Sequence, residues 1–239
     1  MHVIPVLSDN YCYVCHFDES ALVVDPAAAA PVIQLLEEHA LKLELMLITH
    51  GHADHTGGCR ELERKYGVSA AAVSDGMRIA FAGSEVLVMH TPGHTADHSC
   101  FFLNPAVGAP LLFGGDVLFG GGCGRVNGGA YEAMWSSLLR LRALPPETRV
   151  CFGHEYTLDN LEFALSVEPE NQLVRTRLEH ETARLAESGV TAPSILREEL
   201  LTNPFLRTDD PVLQAAVGMN GAAPLEVFTF LRRRKNTWG

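Results

Sequence analysis

The chain has 239 residues, 47% of them hydrophobic, which is enough for one sizeable core with room for an appendage. Twenty-nine acidic residues against 18 basic ones give a formal charge of −11, and such a chain repels phosphate backbones, so no nucleic acid partner is expected. No apolar run reaches transmembrane length, and Met1-His2-Val3-Ile4 lacks the basic-then-apolar pattern of a secretory signal, so no membrane partner is expected either.

In chain order, Tyr11–Phe17 and Ala21–Val24 read as strands around a turn at Asp18-Glu19-Ser20, and Asp25-Pro26 ends that unit. Ala30–His39 has apolar Val32, Leu35 and Leu36 at helical spacing. Leu45–Thr49 is a short buried strand, and Gly58–Tyr66 a helix. Glu85–His90, Ser99–Leu103, Leu111–Phe113 and Arg149–Phe152 are further strands. After residue 156 the pattern turns helical: Asn171–Ser188, Pro193–Leu201, Pro211–Val217 and Pro224–Arg234, the last three with proline in the first turn. Thr202-Asn-Pro-Phe205 breaks that run. The expected architecture is an α/β body over 1–156 and a helical appendage over 157–239.

Six scattered cysteines (Cys12, Cys15, Cys59, Cys100, Cys123 and Cys151) fit reduced thiols and a cytoplasmic protein. Cys12-x-x-Cys15 has a redox spacing, but it lies in a strand, where positions three apart face opposite sides.

One pattern repeats along the body: a strand, a tight turn, then a histidine or aspartate. Leu45–Thr49 runs into His50-Gly-His52-Ala-Asp54-His55, Glu85–His90 into Thr91-Pro-Gly-His94, Leu111–Phe113 into Gly-Gly-Asp116, and Arg149–Phe152 into Gly-His154. Loop ligands at strand ends are a common way to build a site on an α/β scaffold. The seven candidates His50, His52, Asp54, His55, His94, Asp116 and His154 are all imidazole or carboxylate. That set suits zinc, iron or manganese in a catalytic site. Seven ligands exceed one tetrahedral ion and suit two ions sharing a carboxylate, about 3.5–4 Å apart, with a hydroxide between them. His98 is placed to support His94 from behind. His2, His16, His39, His90 and His180 lack this context and read as surface or packing residues.

Thr49-His-x-His-x-Asp-His55, Pro92-Gly-His94-Thr95, Gly115-Asp116-x-Leu-Phe119 and Gly153-His154-Glu-Tyr156 resemble the metallo-β-lactamase superfamily. Within it the chain looks like glyoxalase II, the hydroxyacylglutathione hydrolases. Ser8-Asp-Asn-Tyr11, Gly122-Cys-Gly-Arg125, Gly153–Leu161, Val167-Glu-Pro169, Thr202-Asn-Pro-Phe205 and the terminal Arg-Arg-Arg-Lys235 carry that narrower likeness, which runs from residue 3 to residue 236. It implies an αββα sandwich followed by an all-helical C-terminal domain. It also implies one ion on His50, His52 and His94, a second on Asp54, His55 and His154, and Asp116 as bridge. The implied cofactor is two divalent ions, zinc first, with iron or manganese as alternatives.

The implied reaction is hydrolysis of S-lactoylglutathione to glutathione and D-lactate by a hydroxide held between the ions, in a monomer. Asp54 and Asp116 are the carboxylates expected to act in it. Arg125, Asn127, Tyr156, Arg232 and Lys235 fall at glutathione-contacting positions by the same likeness. Three features depart from the pattern. Asn127 stands where many relatives carry an aromatic, Lys235-Asn236 replaces a Lys-Asp pair, and Gly51 and Ala53 are small spacers. They leave the metal ligands intact and bear on glutathione contact. Another thioesterase, a lactonase and a one-iron persulfide dioxygenase share the scaffold and remain as alternatives.

Overall fold

A computed structural model describes residues 1–238. Its elements in order are β1 (His2–Val6), β2 (Asn10–Phe17), β3 (Ser20–Val24), α1 (Ala29–Glu38), β4 (Lys42–Leu47), α2 (Ala53–Thr56), α3 (Cys59–Tyr66), β5 (Arg78–Phe81), β6 (Ser84–His90), β7 (Ser99–Leu103), β8 (Leu111–Gly115), β9 (Leu118–Phe119), β10 (Gly122–Cys123), α4 (Tyr131–Arg142), β11 (Arg149–Phe152), α5 (Thr157–Val167), α6 (Gln172–Ser188), β12 (Ser194–Ile195), α7 (Leu196–Thr202), a 3-10 turn (Pro204–Leu206), α8 (Pro211–Ala216) and α9 (Pro224–Asn236). One sheet has the order β1-β2-β3-β4, and the other β12-β11-β8-β7-β6-β5.

The two-residue period of a strand assigns the first sheet to two cores. Tyr11, Tyr13 and Cys15 of β2 and Leu22 and Val24 of β3 join Val86, Val88, Phe101, Phe113 and Phe152 of the second sheet. Cys12 and Val14, with Ala21 and Val23, instead meet Val32 and Leu36 of α1 and Leu62 of α3. Cys12 and Cys15 therefore face different cores, and all six cysteines are free. A fully buried side chain such as Phe101 contributes about 1.5–3 kcal/mol, so these layers fix the strand register before any site residue is considered.

Segments of the C-terminal region add Leu196, Phe205, Val227, Phe228 and Leu231 to the larger core. The helix expected from Pro193 begins only at Leu196, because Ser194 and Ile195 pair with Val150 and Arg149 as an edge strand. Proline is at home just before an edge strand as well as in a first helical turn. The region beyond 156 is thus mostly, not wholly, helical. Helices α4 and α5 were not anticipated. Asn171 lies outside α6 and caps it, its side chain accepting from Leu173 N and Val174 N. No helix is long and apolar enough to cross a membrane among the described residues.

At one edge of the sandwich the two sheets are stitched together by backbone bonds. Ser99 N donates to Thr49 O, Tyr11 N to Gly153 O and Glu155 N to Asp9 O, each at 2.8 Å. The chain leaves β4, β6, β8 and β11 at this seam, and each of the four departures carries candidate ligands.

Candidate metal centre

All seven candidate ligands meet at the seam. His50, His52 and His94 form one cluster, Asp54, His55 and His154 a second, and Asp116 sits with His50 and His55 between them. His50 Nε2 and His52 Nδ1 are 2.9 Å apart, and His94 Nε2 and His52 Nδ1 are 3.2 Å apart. In the second cluster His154 Nε2 lies 3.4 Å and His55 Nε2 3.9 Å from Asp54 Oδ2. Asp116 reaches both: its Oδ1 is 3.4 Å from His55 Nε2, and its Oδ2 is 3.5 Å from His94 Nε2 and 3.4 Å from His154 Nε2.

Hydrogen bonds behind the rings set which nitrogen faces inward. His50 Nδ1 donates to Thr49 Oγ1 (3.1 Å), His55 Nδ1 to Asp25 Oδ2 (2.9 Å), His94 Nδ1 to the Arg125 carbonyl (3.1 Å) and His154 Nδ1 to Asp9 Oδ1 (2.8 Å). Each bond orients its ring and turns Nε2 inward, the nitrogen that would offer a lone pair to a metal. Asp25 is buried at φ 50°, and besides His55 it accepts from Thr49 N (2.8 Å) and Thr49 Oγ1 (2.7 Å). Asn10 Nδ2 donates to Asp54 Oδ2 (3.0 Å) and to Asp54 O (3.1 Å). His98 does not touch His94. Its Nε2 accepts from Asp116 N at 3.2 Å and its Nδ1 donates to Thr91 Oγ1 at 3.0 Å. It therefore holds Asp116 through the backbone, and its ring stacks on His50 with centroids 5.1 Å apart.

The residues fit metal ions on two counts. His55 Nε2 and Asp116 Oδ1 are buried without a hydrogen-bond partner among the described residues, and buried polar atoms are rarely left so. Nitrogens from three rings also face one another at about 3 Å; a single proton on His52 Nδ1 would serve one of its two neighbours, whereas a cation between the rings would serve all three. Those separations match the edges of a tetrahedron around an ion about 2.0–2.1 Å from each nitrogen. Proton equilibria in the metal-free protein agree. Burial pulls His50 down to about 4, helped by the charge on His55. Burial also opposes charging of His55, yet the Asp116 and Asp25 carboxylates beside its two ring nitrogens win and hold it up to about 10. Burial favours neutral Asp116, but His154 and His55 hold its carboxyl well below the usual carboxylate range. For Asp54 burial is likewise outweighed, by the Asn10 amide and His55, so its carboxyl is lowered. The centre is built to hold positive charge.

Beside the ligands opens a cavity of about 550 Å³, within the usual range of small-molecule sites. Arg125, Asn127, Tyr156, Arg232 and Lys235 all line it with His94 and Asp116. Arg125 is exposed and makes no side-chain hydrogen bond among the described residues. Tyr156 stacks on His154 with centroids 5.0 Å apart. Asn127 Nδ2 donates to His94 O at 2.8 Å, so it braces the His94 turn. Arg232 is buried over the Phe205 ring, with Nη1 on Cys123 O at 2.7 Å. Lys235 pairs with Asp159 and lies over Phe163. The sequence places Asp9, Asn10 and Thr49 in family motifs and Asp25 at a strand stop, but it does not show that they stand behind the candidate ligands. The one available signal was position: Asp25 directly follows β3, which runs parallel to β4.

Comparison with known proteins agrees with this geometry. Residues 155–238 match the family described as the hydroxyacylglutathione hydrolase C-terminus. Residues 6–83 and 72–154 match the metallo-beta-lactamase superfamily. The chain is 43% identical over 251 residues to a hydroxyacylglutathione hydrolase from Methylococcus capsulatus, covering 98% of this chain and 97% of that one. It is 44% identical over 250 residues to one from Rhodobacter capsulatus, covering 98% and 96%. Among solved structures, ETHE1 from Myxococcus xanthus superposes with a TM-score of 0.65 at 23% identity, over 99% of this chain and 92% of that one. The BLEG-1 B3 metallo-beta-lactamase gives 0.64 at 20% identity, over 86% and 98%. These two share the fold. By its motifs, its ligand geometry and its full-length relatives, the chain belongs to the hydroxyacylglutathione hydrolase family of the metallo-beta-lactamase superfamily.

Proposed function

We infer that the chain hydrolyses glutathione thioesters, S-lactoylglutathione to glutathione and D-lactate among them. One observation carries the reading: Arg125, Arg232 and Lys235 line the same cavity as His94 and Asp116. An anionic peptide thiol held by the cations would lay its thioester over the metal ligands. His50, His52 and His94 would hold one divalent ion, Asp54, His55 and His154 the other, and Asp116 both. Zinc is the first choice, and iron or manganese suits the same donors. When bound, two such ions supply Lewis acidity, lowering the pKa of water and drawing charge from the carbonyl under attack.

The chain's own groups do the rest. Asp54, partly exposed and anchored by Asn10, takes up the proton of the attacking water at its carboxylate. Asp116 keeps the two clusters in register, held by His98 through its backbone. Tyr156, standing over His154, and the neighbouring Phe119 wall one side of the cavity. The departing thiolate needs little help, because a thiol is far more acidic than an amine. We place the metal ligands on residues 1–156 and the Arg232 and Lys235 cations on 157–239, in a monomeric cytoplasmic enzyme.

The test is steady-state hydrolysis of S-lactoylglutathione by metal-quantified protein, beside a thioester of a small thiol lacking the γ-glutamyl and glycine ends. A much higher kcat/KM for the glutathione thioester, lost on chelation and in Asp116→Ala, is expected. Equal rates on both would refute glutathione recognition.

A further inference from the structure

Five consecutive residues, Gly120 to Gly124, are each gripped by a side chain from the C-terminal region. Asn160 Nδ2 donates to Gly120 O at 3.1 Å. Glu199 Oε2 accepts from Gly121 N at 2.8 Å. Asn203 Nδ2 donates to Gly122 O at 2.9 Å. Arg232 Nη1 donates to Cys123 O at 2.7 Å and reaches Gly124 O at 3.4 Å. Glycine permits so close a fit. At Gly121, with φ 67°, a Cβ would sit 2.8 Å from Leu161 Cδ2, and at Gly124 it would sit 1.8 Å from Asp116 O.

Behind the loop lies a buried polar set that the reaction itself does not use. Glu199 is fully buried and pairs with Arg177, whose Nη1 donates to Thr202 Oγ1 at 2.6 Å. Asn203 Nδ2 also donates to Glu199 Oε2 at 3.1 Å. A buried ion pair is a weak source of net stability, since its desolvation offsets its attraction. What this one does is fix a geometry. The next residue along the loop is Arg125, whose carbonyl receives His94 Nδ1 and whose side chain lines the cavity. Gly124 N donates to Val117 O at 3.2 Å, beside Asp116. Any slip of residues 120–124 would therefore move the partner of His94 and crowd the bridging aspartate together.

We propose that Glu199 and Asn203 are positioning residues of the metal centre: by holding the backbone of Gly121 and Gly122, they keep the Arg125 carbonyl behind His94 and Asp116 in its bridging place. The proposal rests on the two-ion reading of the seven ligands. It gives the C-terminal region a second task, setting ligand geometry as well as lining the cavity.

The test compares wild type, Asn203→Ala and Glu199→Gln with Glu168→Gln. Glu168 is equally buried and pairs with Arg207 at 2.6 Å, but it touches no part of the loop. The readouts are the rate at which bound Zn2+ passes to a chelator, the visible absorption of the Co2+-loaded protein, and kcat per bound zinc with KM. Asn203→Ala should release Zn2+ about tenfold faster, the low end for loss of a group that orients a ligand. Its Co2+ spectrum should change, its kcat per zinc should fall and its KM should rise as Arg125 shifts. Glu168→Gln should lower Tm and leave Zn2+ release and the Co2+ spectrum as in wild type. Should Glu199→Gln fail to fold with Arg177 stranded, Asn203→Ala decides alone. Wild-type Zn2+ release and an unchanged Co2+ spectrum in Asn203→Ala, with only Tm reduced, would overturn the positioning role. Failure of wild type to take up either metal would overturn the two-ion reading and this proposal with it.

Discussion

Asparagine at position 25 would keep the shape of the aspartate and change only the pattern of protons. The Asp25 carboxylate accepts three hydrogen bonds: from Thr49 N on Oδ1, and from Thr49 Oγ1 and His55 Nδ1 on Oδ2. In Asp25→Asn the amide oxygen cannot serve all three donors. Turned to Thr49 Oγ1 and His55 Nδ1, it sets the new NH2 against the Thr49 N–H, which cannot accept. It turns instead to Thr49 N, and the NH2 faces the other two groups, which themselves donate. The Thr49 hydroxyl can turn to accept, which disturbs the bond it receives from His50. His55 can accept only by moving its proton from Nδ1 to Nε2, the atom that faces Asp116 and must offer a lone pair to a metal. Asparagine tolerates the left-handed φ of 50° found here, so backbone strain is not part of the effect. Each charge-assisted bond lost costs about 1.5–3 kcal/mol. Removing one group that orients a metal-binding histidine costs about 10–100-fold in affinity, or about 1.4–2.7 kcal/mol. Here orientation and tautomer fail together. The Asp54, His55 and His154 ion should therefore weaken by about 100-fold, and the His50, His52 and His94 ion by about tenfold or less. Zinc per chain, measured after equilibration with graded chelator, should show one tight and one lost ion, with turnover falling in step. Two ions retained at wild-type affinity in Asp25→Asn would refute the assignment of Asp25 as the group that sets the His55 tautomer.

Three other outcomes follow from the same geometry. A Cβ at Gly153 would lie 2.3 Å from Asp116 Oδ1, whereas one at Gly51 meets nothing within 4 Å; Gly153→Ala should lose metal and activity by at least about tenfold, while Gly51→Ala keeps both, by metal analysis and rate. His55 is held up to about 10 in the metal-free protein, so at pH 8 zinc must displace about one proton from it; calorimetry in buffers of different ionisation enthalpy should show that release, with affinity rising about tenfold per pH unit, and buffer-independent heats would contradict it. Because that pKa is raised on folding, His55 stabilises the metal-free fold below its unfolded value, and the gain is lost as pH climbs towards 10. Arg125→Ala should raise KM for the glutathione thioester and leave Tm within about 2 °C, whereas Arg232→Ala, which strips the donor from Cys123 O, should also cost about 1–3 kcal/mol of stability in denaturant titration.

The candidate ligands were legible because they follow four strand ends, and a strand end is a local feature that a sequence shows. His50 through His55, His94, Asp116 and His154 all came together as the spacing predicted. The groups behind them were not legible, because nothing local distinguishes them. Asp25-Pro26 reads as a strand stop, and only the parallel pairing of β3 with β4 brings Asp25 within 2.9 Å of His55. Asp9 lies in the turn between β1 and β2 and Asn10 opens β2, and a contact spanning 145 residues makes Asp9 a partner of His154. Arg125 supports His94 through its carbonyl, a group every residue has. The misplaced helix start at Pro193 has the same origin. Proline and the apolar pattern after it suit a helix, and the short edge strand exists only because β11 lies alongside to pair with it.

The charge pattern also explains how an acidic chain would hold an anionic substrate. Four carboxylates, those of Asp9, Asp25, Asp54 and Asp116, hydrogen-bond to or lie within 3.5 Å of the imidazoles of the centre. Left alone, they would repel a substrate carrying carboxylates at both ends. Two divalent ions would bring four positive charges against those four negative ones, so even with a hydroxide between them the loaded centre would carry about one formal negative charge in place of four. The cations of the cavity then act with far less competition from below. They are graded by mobility: Arg232 is buried and fixed to backbone, Lys235 is tied to Asp159, and Arg125 is free at the rim. A fixed cation gives a preorganised contact at little entropic cost, while a free one loses rotamer freedom on binding. Metal loading should therefore tighten binding of a glutathione-like anion even when no bond is cleaved. Titration of metal-free and zinc-loaded protein with an S-alkylglutathione, which has no thioester to hydrolyse, isolates that electrostatic step. Equal affinities in the two forms would show that the cations alone govern capture.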